Sequence, residues 1–334
     1  MSLPELRVLT PDEYPEWDRL VEAASCATYF HRSDWLIETS RVLGVTPRIY
    51  GYFVADALVA GCSLHLDRIW PGLPIASSVS ECSPHGGLVI TSSDEGKSVI
   101  RSERLTHALC GALDDTLAQG AFDYIQIQSP PGLADTRGFS WKGWISQVLY
   151  TYRLLTQSPK YSRTTMKHIA LANRQGVAVE RSTEIDIFSS LLKAMYIGKG
   201  VTPAIDVTLL EPIFERLIQS GDGELWVSRA ADETVLAADL IIVDSKRAYR
   251  WTAASRPERN LNGAVFYLIS TVIDSLRSRS ISEYYMMTAN IPPLAEFTSK
   301  FNPELVPYYH SAWFSKRYRW LKALRDLVRT SPDG

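Results

Sequence analysis

Lys300 stands between Phe297 and Phe301. An ammonium group in a partly desolvated aromatic segment suits the stabilisation of an oxyanion, although a surface lysine lays its stem over rings in the same way. Arg163 and Lys167 lie four apart and share one face of a helix that Ser162 is placed to cap. A basic first turn opposes the helix macrodipole, which favours acids there, so an anionic ligand would restore the balance. Arg32 precedes Trp35 by three residues at the entry of another predicted helix, where the tryptophan also reads as core packing. Arg256 and Arg259 precede Asn262-Gly263 at the start of a long predicted helix. Such a start offers backbone amides to phosphate, and it also reads as an ordinary capped end. Acyl transfer to an amine needs a positioned nucleophile, a route for its proton and an oxyanion donor. These cations supply the last of the three.

Other chemistries are poorly served. Cys82 and His85 lie three apart, but one such pair is at most half a zinc site, and no metal is expected. His31, His65, His107 and His310 are isolated along the chain. No serine nucleophile elbow, Walker A loop or paired-glycine dinucleotide turn is present, which argues against hydrolase, NTPase and Rossmann readings. The four cysteines are scattered and read as free thiols. With a net charge of -2 over 334 residues, DNA is not an expected partner and any anion must meet a local patch. Such a patch is the tail Lys316 to Arg329, where Trp313, Phe314, Tyr318 and Trp320 are interleaved with cations. It suits RNA or an anionic lipid headgroup, and equally a plain closing helix. Neither an apolar leader nor a membrane-length apolar run is seen, so a cytoplasmic protein with at most peripheral membrane contact is expected.

The elements that must position these residues follow from periodicity. Helices are predicted at Thr10 to Ala24, Ser33 to Val42, Ser102 to Gln119, within Lys160 to Glu180, at Ile185 to Tyr196, Leu209 to Gln219, Asn262 to Arg279, Leu294 to Phe301 and Arg319 to Arg329. Strands are predicted at Arg48 to Val54, Leu58 to Leu66, Phe122 to Gln128, Glu224 to Arg229, Val235 to Val243, Arg247 to Ala253 and Glu283 to Thr288, with Leu88-Val89-Ile90 after Gly86-Gly87. Hairpin, further strands, long helix and strand occur in that order twice. Tyr52 to Gly61 answers Val227 to Ala238, and Asp123-Tyr124 answers Glu283-Tyr284. The pattern is an internal duplication of an α+β unit with mixed, mainly antiparallel sheets, and domains are expected at 1–158 and 159–334.

The doubled order resembles two tandem GNAT folds, as in the FemAB-like peptidoglycan aminoacyl transferases and related N-acyltransferases. The resemblance is carried by Phe30-His31-Arg32-Ser33-Asp34-Trp35, Pro84-His85-Gly86-Gly87-Leu88, the linking helix with Arg163, Lys167 and Gly176-Val177, Gly263 to Arg279 with the strand after it, and Leu294 to Phe301 with Val306-Pro307-Tyr308. It spans nearly the whole chain. It implies a transferase that moves an acyl or aminoacyl group to an amine on an anionic acceptor: a cell-wall precursor, saccharide or amino acid. Acyl-CoA or aminoacyl-tRNA would be the donor, with no tightly bound cofactor. By the same resemblance Lys300 is the catalytic residue. Arg32, Trp35, Arg163, Lys167 and Tyr196 hold substrate, and Arg256, Arg259 and Gly263 hold the donor. The chain departs from the tRNA-dependent members in lacking their coiled-coil insertion, and Thr164-Thr165 stand where a second basic residue is common. The alternative is a catalytically silent duplicate that binds a ligand or partner.

Overall fold

A computed structural model describes residues 3–69, 72–91, 99–119, 122–257 and 263–330. The first half runs β1 (Glu5–Val8), α1 (Tyr14–Ala23), α2 (Ser33–Leu43), β2 (Thr46–Val54), β3 (Ala57–Ile69), β4 (Leu73–Ser77), β5 (Gly87–Ile90), α3 (Val99–Leu117), β6 (Tyr124–Gln128) and α4 (Arg137–Ser140). After β7 (Ile145–Leu155) come α5 (Arg163–Arg174), β8 (Ala178–Ser182), α6 (Ile185–Lys199), α7 (Val207–Ser220), β9 (Gly223–Arg229), β10 (Val235–Val243) and β11 (Arg247–Ser255). The chain ends with α8 (Ala264–Ser278), β12 (Glu283–Tyr285), α9 (Pro292–Ser299), β13 (Glu304–Phe314) and α10 (Lys316–Thr330).

Two compact units result, one of Met1–Leu149 with Pro307–Gly334 and one of Tyr150–Val306. In the first, the strands lie in the order β1-β2-β3-β4-β6-β13, with β5 beside β3. In the second the order is β7-β12-β11-β10-β9-β8. Each sheet is antiparallel except for one parallel pair, β4 with β6 and β11 with β12. The sequence placed the seam after Ser158, whereas the compact units part at Leu149 and return the last strand and helix to the first unit. The reason is an exchange of strands. The strand that follows β6 in the chain pairs with β12, and the strand that follows β12 pairs with β6.

Each unit has its own core. In the first, α3 lays Leu109, Leu113 and Leu117 on Cys62, Leu64, Ile125 and Ile127. In the second, α8 lays Leu268, Ile269, Val272, Ile273 and Leu276 on Ala237, Ile241, Ala248 and Tyr284. The apolar stripes at helical spacing dictate both contacts.

Candidate active site

The second unit holds a gap in its sheet. Strand β11 pairs with β12 only at Arg247, Ala248 and Tyr249. Beyond that point β11 carries a bulge: Leu240 faces Thr252 and Ile241 faces Arg250, so Trp251 is the extra residue. Strand β12 departs in the other direction. Met286 donates its N–H to Tyr152 O at 2.9 Å, Met287 takes a left-handed φ of 61°, and Asn290 exchanges hydrogen bonds with the Tyr150 backbone at 2.8 and 2.9 Å. Arg250, Trp251, Thr252 and Ala253 are consequently half-buried, although their strand lies inside the sheet.

The amide directions along this open edge follow from pairing. The Arg256 N–H donates to Leu236 O at 2.9 Å, so by alternation the amides of Ser255 and Ala253 turn to the side that β12 has left. Gly263 then starts α8 with φ 77°. Its missing side chain is required, because a Cβ there would lie 2.1 Å from His168 O on α5. That close approach seats α5 against α8, and His168 stacks on Phe266 at 4.4 Å. The first-turn N–H groups of a helix lack intrahelical partners, so among the described residues the start of α8 suits a negative charge.

Arg256 donates its Nε to Val235 O at 2.7 Å and, with Asp186, Ile187, Ser190, Leu191, Ala194 and Pro257, lines an open cavity of about 490 Å³. Helix α6 forms its apolar wall, and Gly198 lets that helix touch Pro257, since a Cβ would sit 2.4 Å from the ring. Tyr196 is half-buried two positions beyond Ala194, about 200° round the helix and so off the cavity-lining face.

On the α8 side of the sheet, Asp239 and Arg250 form a two-pronged ion pair, each N···O distance 2.7 Å, with Asp239 1% exposed. Burial opposes the Arg250 charge, and Asp239 more than offsets it. The Tyr284 hydroxyl is buried beside them without a hydrogen-bond partner among the described residues, and burial pushes its ionisation well up.

The structure brings some of the expected residues together. Helix α5 begins where α9 ends: the Lys300 carbonyl accepts from Ser162 N at 3.2 Å and from Thr165 Oγ1 at 2.6 Å. Ser162 and Thr165, which bracket Arg163 in the first turn of α5, are thereby tied to the Lys300 backbone. Lys300 is half-buried beside Phe297 and Phe301, which with Phe266 form one aromatic cluster. Arg163 and Lys167 lie on the exposed face of α5. Ser162 caps the helix as its position suggested, its side chain accepting from Thr165 N. Arg259 lies outside the described residues. Arg32 belongs to the first unit, pairing with Asp34 at 2.9 Å and lying over Tyr29. Trp35 is in the core: it is fully buried and its indole N–H donates to Ser83 Oγ at 2.8 Å. Sequence reading passed over Asp239 and Arg250, although an acid inside the apolar run Leu236 to Val243 facing an arginine on the next strand was a visible signal.

The equivalent place in the first unit is closed. Strand β4 pairs with β6 at Ile75, Ala76 and Ser77, and the chain that follows fills the space beyond. Ser78 N donates to Gln126 O at 3.0 Å, Gln128 N to Ser78 Oγ at 2.8 Å and Gln128 Nε2 to Pro84 O at 2.5 Å. Gly86 lies so close that a Cβ would meet Ser78 O at 1.9 Å. His85 is buried there, with neither ring nitrogen hydrogen-bonded among the described residues, and burial first, then the nearby His31, lowers its pKa to about 3. Burial likewise holds His65, whose Nδ1 meets Ser40 Oγ at 2.8 Å, to about 4.

These imidazoles set an acid limit. Unfolded, each takes a proton near pH 6.5; folded, each resists until about 4 and about 3. The stability they contribute is therefore complete above pH 6.5 and is lost as pH falls through that window. His65 alone accounts for about 3 kcal/mol. Urea midpoints at pH 7 and pH 4.5 measure it, and His65→Gln should flatten the difference. An unchanged slope in that variant would assign the acid limit elsewhere.

Residues 160–292 match the family model of the acetyltransferase (GNAT) domain. That interval contains the open edge of β11. Among solved structures the chain is similar to FemX, with 14% identity over 91% of this chain and 96% of that one and a TM-score of 0.68. It is also similar to the C-terminal domain of a putative lysylphosphatidylglycerol synthetase from Agrobacterium fabrum, at 11% identity, 95% and 96% coverage and a TM-score of 0.59. A tandem GNAT protein from the clavulanic acid biosynthesis pathway is similar at 12% identity, 93% and 98% coverage and a TM-score of 0.52. No curated protein matches the sequence. The mixed, mainly antiparallel GNAT fold expected from the sequence is the fold the chain has. No helix among the described residues is long and apolar enough to cross a membrane.

Proposed function

We propose that this chain, a GNAT acyltransferase with the FemAB-like fold, carries an acyl group from a coenzyme A thioester in its second unit to an amine on an anionic acceptor. The observation that carries the reading is the open β11 edge beyond Tyr249, set against the closed equivalent in the first unit. GNAT domains use acyl-CoA as donor substrate. An amide-bearing pantetheine arm can pair with an unpaired strand edge as another strand would. The start of α8 and Arg256 supply positive charge for its phosphates, with Gly263 allowing the close approach.

The neutral amine attacks the thioester carbon, forming the C–N bond and placing charge on the carbonyl oxygen. The Ala253 and Ser255 amides are the preorganised donors for that oxyanion, in a strand that need not move to meet it. Collapse breaks the C–S bond, the amine loses a proton to water and the thiolate takes one up. The acceptor's phosphate or carboxylate is met by Arg163 and Lys167, while Lys300 steadies charge as the acyl group moves. A peptidoglycan or polysaccharide precursor has the required amine and anionic groups, and transfer to it would take place in the cytoplasm. An aminoacyl-tRNA donor is disfavoured because no insertion is present to bind it.

Binding tests the donor assignment. Coenzyme A at about a hundred times its dissociation constant should add about 2.7 kcal/mol to stability, and Arg256→Ala should weaken it about tenfold. Thiol release from acetyl-CoA over a panel of amino acids, amino sugars and UDP-linked acceptors reports turnover. Lys300→Ala should lower kcat about a hundredfold with coenzyme A affinity retained. Binding without thiol release over the panel would favour the silent alternative, and no binding would remove the donor assignment.

A further inference from the structure

Helix α10 shows its apolar side to solvent. It is anchored to the first unit by Tyr318, whose ring stacks on Tyr124 at 5.3 Å and lies tilted against Phe314 at 5.4 Å. Ser315 ties its start, donating to Asp123 at 2.6 Å and accepting from Tyr318 N at 3.0 Å. Trp320, Ala323 and Leu324 lie about 120° to 160° round the helix from that anchor. Trp320 is 64% exposed and Leu324 41%. A helix that packs by amphipathicity turns such residues inward. Here Tyr318 holds the inward position with the half-buried Leu321 beside it, while Trp320, Ala323 and Leu324 point out.

Cations border the stripe. Arg317 and Arg319 flank it on either side and Lys316 lies at its start, all exposed. Arg317 has a long contact to Asp123 at 3.4 Å, and Lys322 lies over the Phe314 ring. Along the whole helix six basic residues stand against one acid, Asp326. An indole and a leucine at the centre of an exposed face with guanidinium groups at its margins match the layering of a bilayer surface, apolar below and anionic above. Nucleic acid would place cations at the centre, and Ala323 and Leu324 offer no face on which a base stacks. A second copy would set the same cations against one another.

We propose that α10 is a membrane-docking helix that inserts Trp320 and Leu324 at the surface of an anionic bilayer. The proposal stands independently of the acyl-transfer reading. Its test is co-sedimentation of the full chain with vesicles of phosphatidylcholine alone or with about a quarter phosphatidylglycerol. Binding to the anionic vesicles should exceed that to the neutral ones at least about tenfold. Trp320→Ala with Leu324→Ser should lower the partition coefficient about tenfold or more, as should Lys316→Glu with Arg319→Glu. Both double variants should keep the native melting temperature, since the altered side chains are exposed. Absence of vesicle binding, or binding unchanged in both variants, overturns the proposal. So does RNA retardation or a concentration-dependent dimer that the same variants abolish while vesicle binding is nil.

Discussion

Replacement of Asp239 by alanine is expected to cost about 3–5 kcal/mol of folding free energy, because it leaves the Arg250 guanidinium charged and unpaired inside the sheet. Asp239 is 1% exposed and Arg250 11% by side chain, and both hydrogen bonds between them are 2.7 Å long. On the same strand face, Ala237, Ile241, Ala248 and Tyr284 pack under α8, so no water replaces the lost partner. Removing both charges is a different experiment. Asp239→Leu with Arg250→Met should recover most of the loss, since a buried pair is often matched by an apolar pair of similar volume. Urea denaturation of the parent, Asp239→Leu, Arg250→Met and the double variant gives the coupling directly. A single variant within about 0.5 kcal/mol of the parent would show that the pair is solvated in solution. The pair also abuts the bulge at Trp251, so the double variant separates stability from activity. If turnover falls while stability recovers, the charges orient the strand edge proposed to meet the donor.

Gly263→Val should destabilise the second unit by about 4 kcal/mol, the sum of a left-handed backbone that a β-branched residue resists and of overpacking against main chain. The built Cβ position lies 2.1 Å from His168 O, and that carbonyl belongs to helix α5, which cannot rotate aside as a side chain would. Relief requires α5 and α8 to part. That movement would disturb the His168–Phe266 stack and the proposed donor site together. Coenzyme A binding should weaken in step with stability, read by calorimetry and thermal melting. Tight binding in a destabilised variant would separate the start of α8 from the donor. An unaltered melting point would show that the two helices do not touch there.

Much of the local structure was legible because it is locally encoded. Ser162 at an N-cap, Gly176 and Gly221 at left-handed positions after helices, and the apolar stripes of α3 and α8 each fix an element within a few residues. Helix α6 shows the limit. Gly198 and Lys199 read as a loop, but packing on Pro257 favours a residue without a side chain at position 198 and the helix continues to Lys199. Strands β7 and β13 went unread. Most of β7 is exposed or half-buried, which blurs the alternation, and Pro307 inside β13 reads as a strand breaker.

The doubling and the fold class lie in the order of apolar periods and turn residues, which short-range sterics and burial translate directly. The exchange of β7 and β13, the open edge of β11 and the closed one beyond β4 depend on which distant strands meet, and no window of sequence contains that pairing. Charge followed the same division. A cation's presence is written in the chain, but whether it is exposed like Arg163, tied down like Arg32 or buried like Arg250 is settled by the neighbours that folding brings to it.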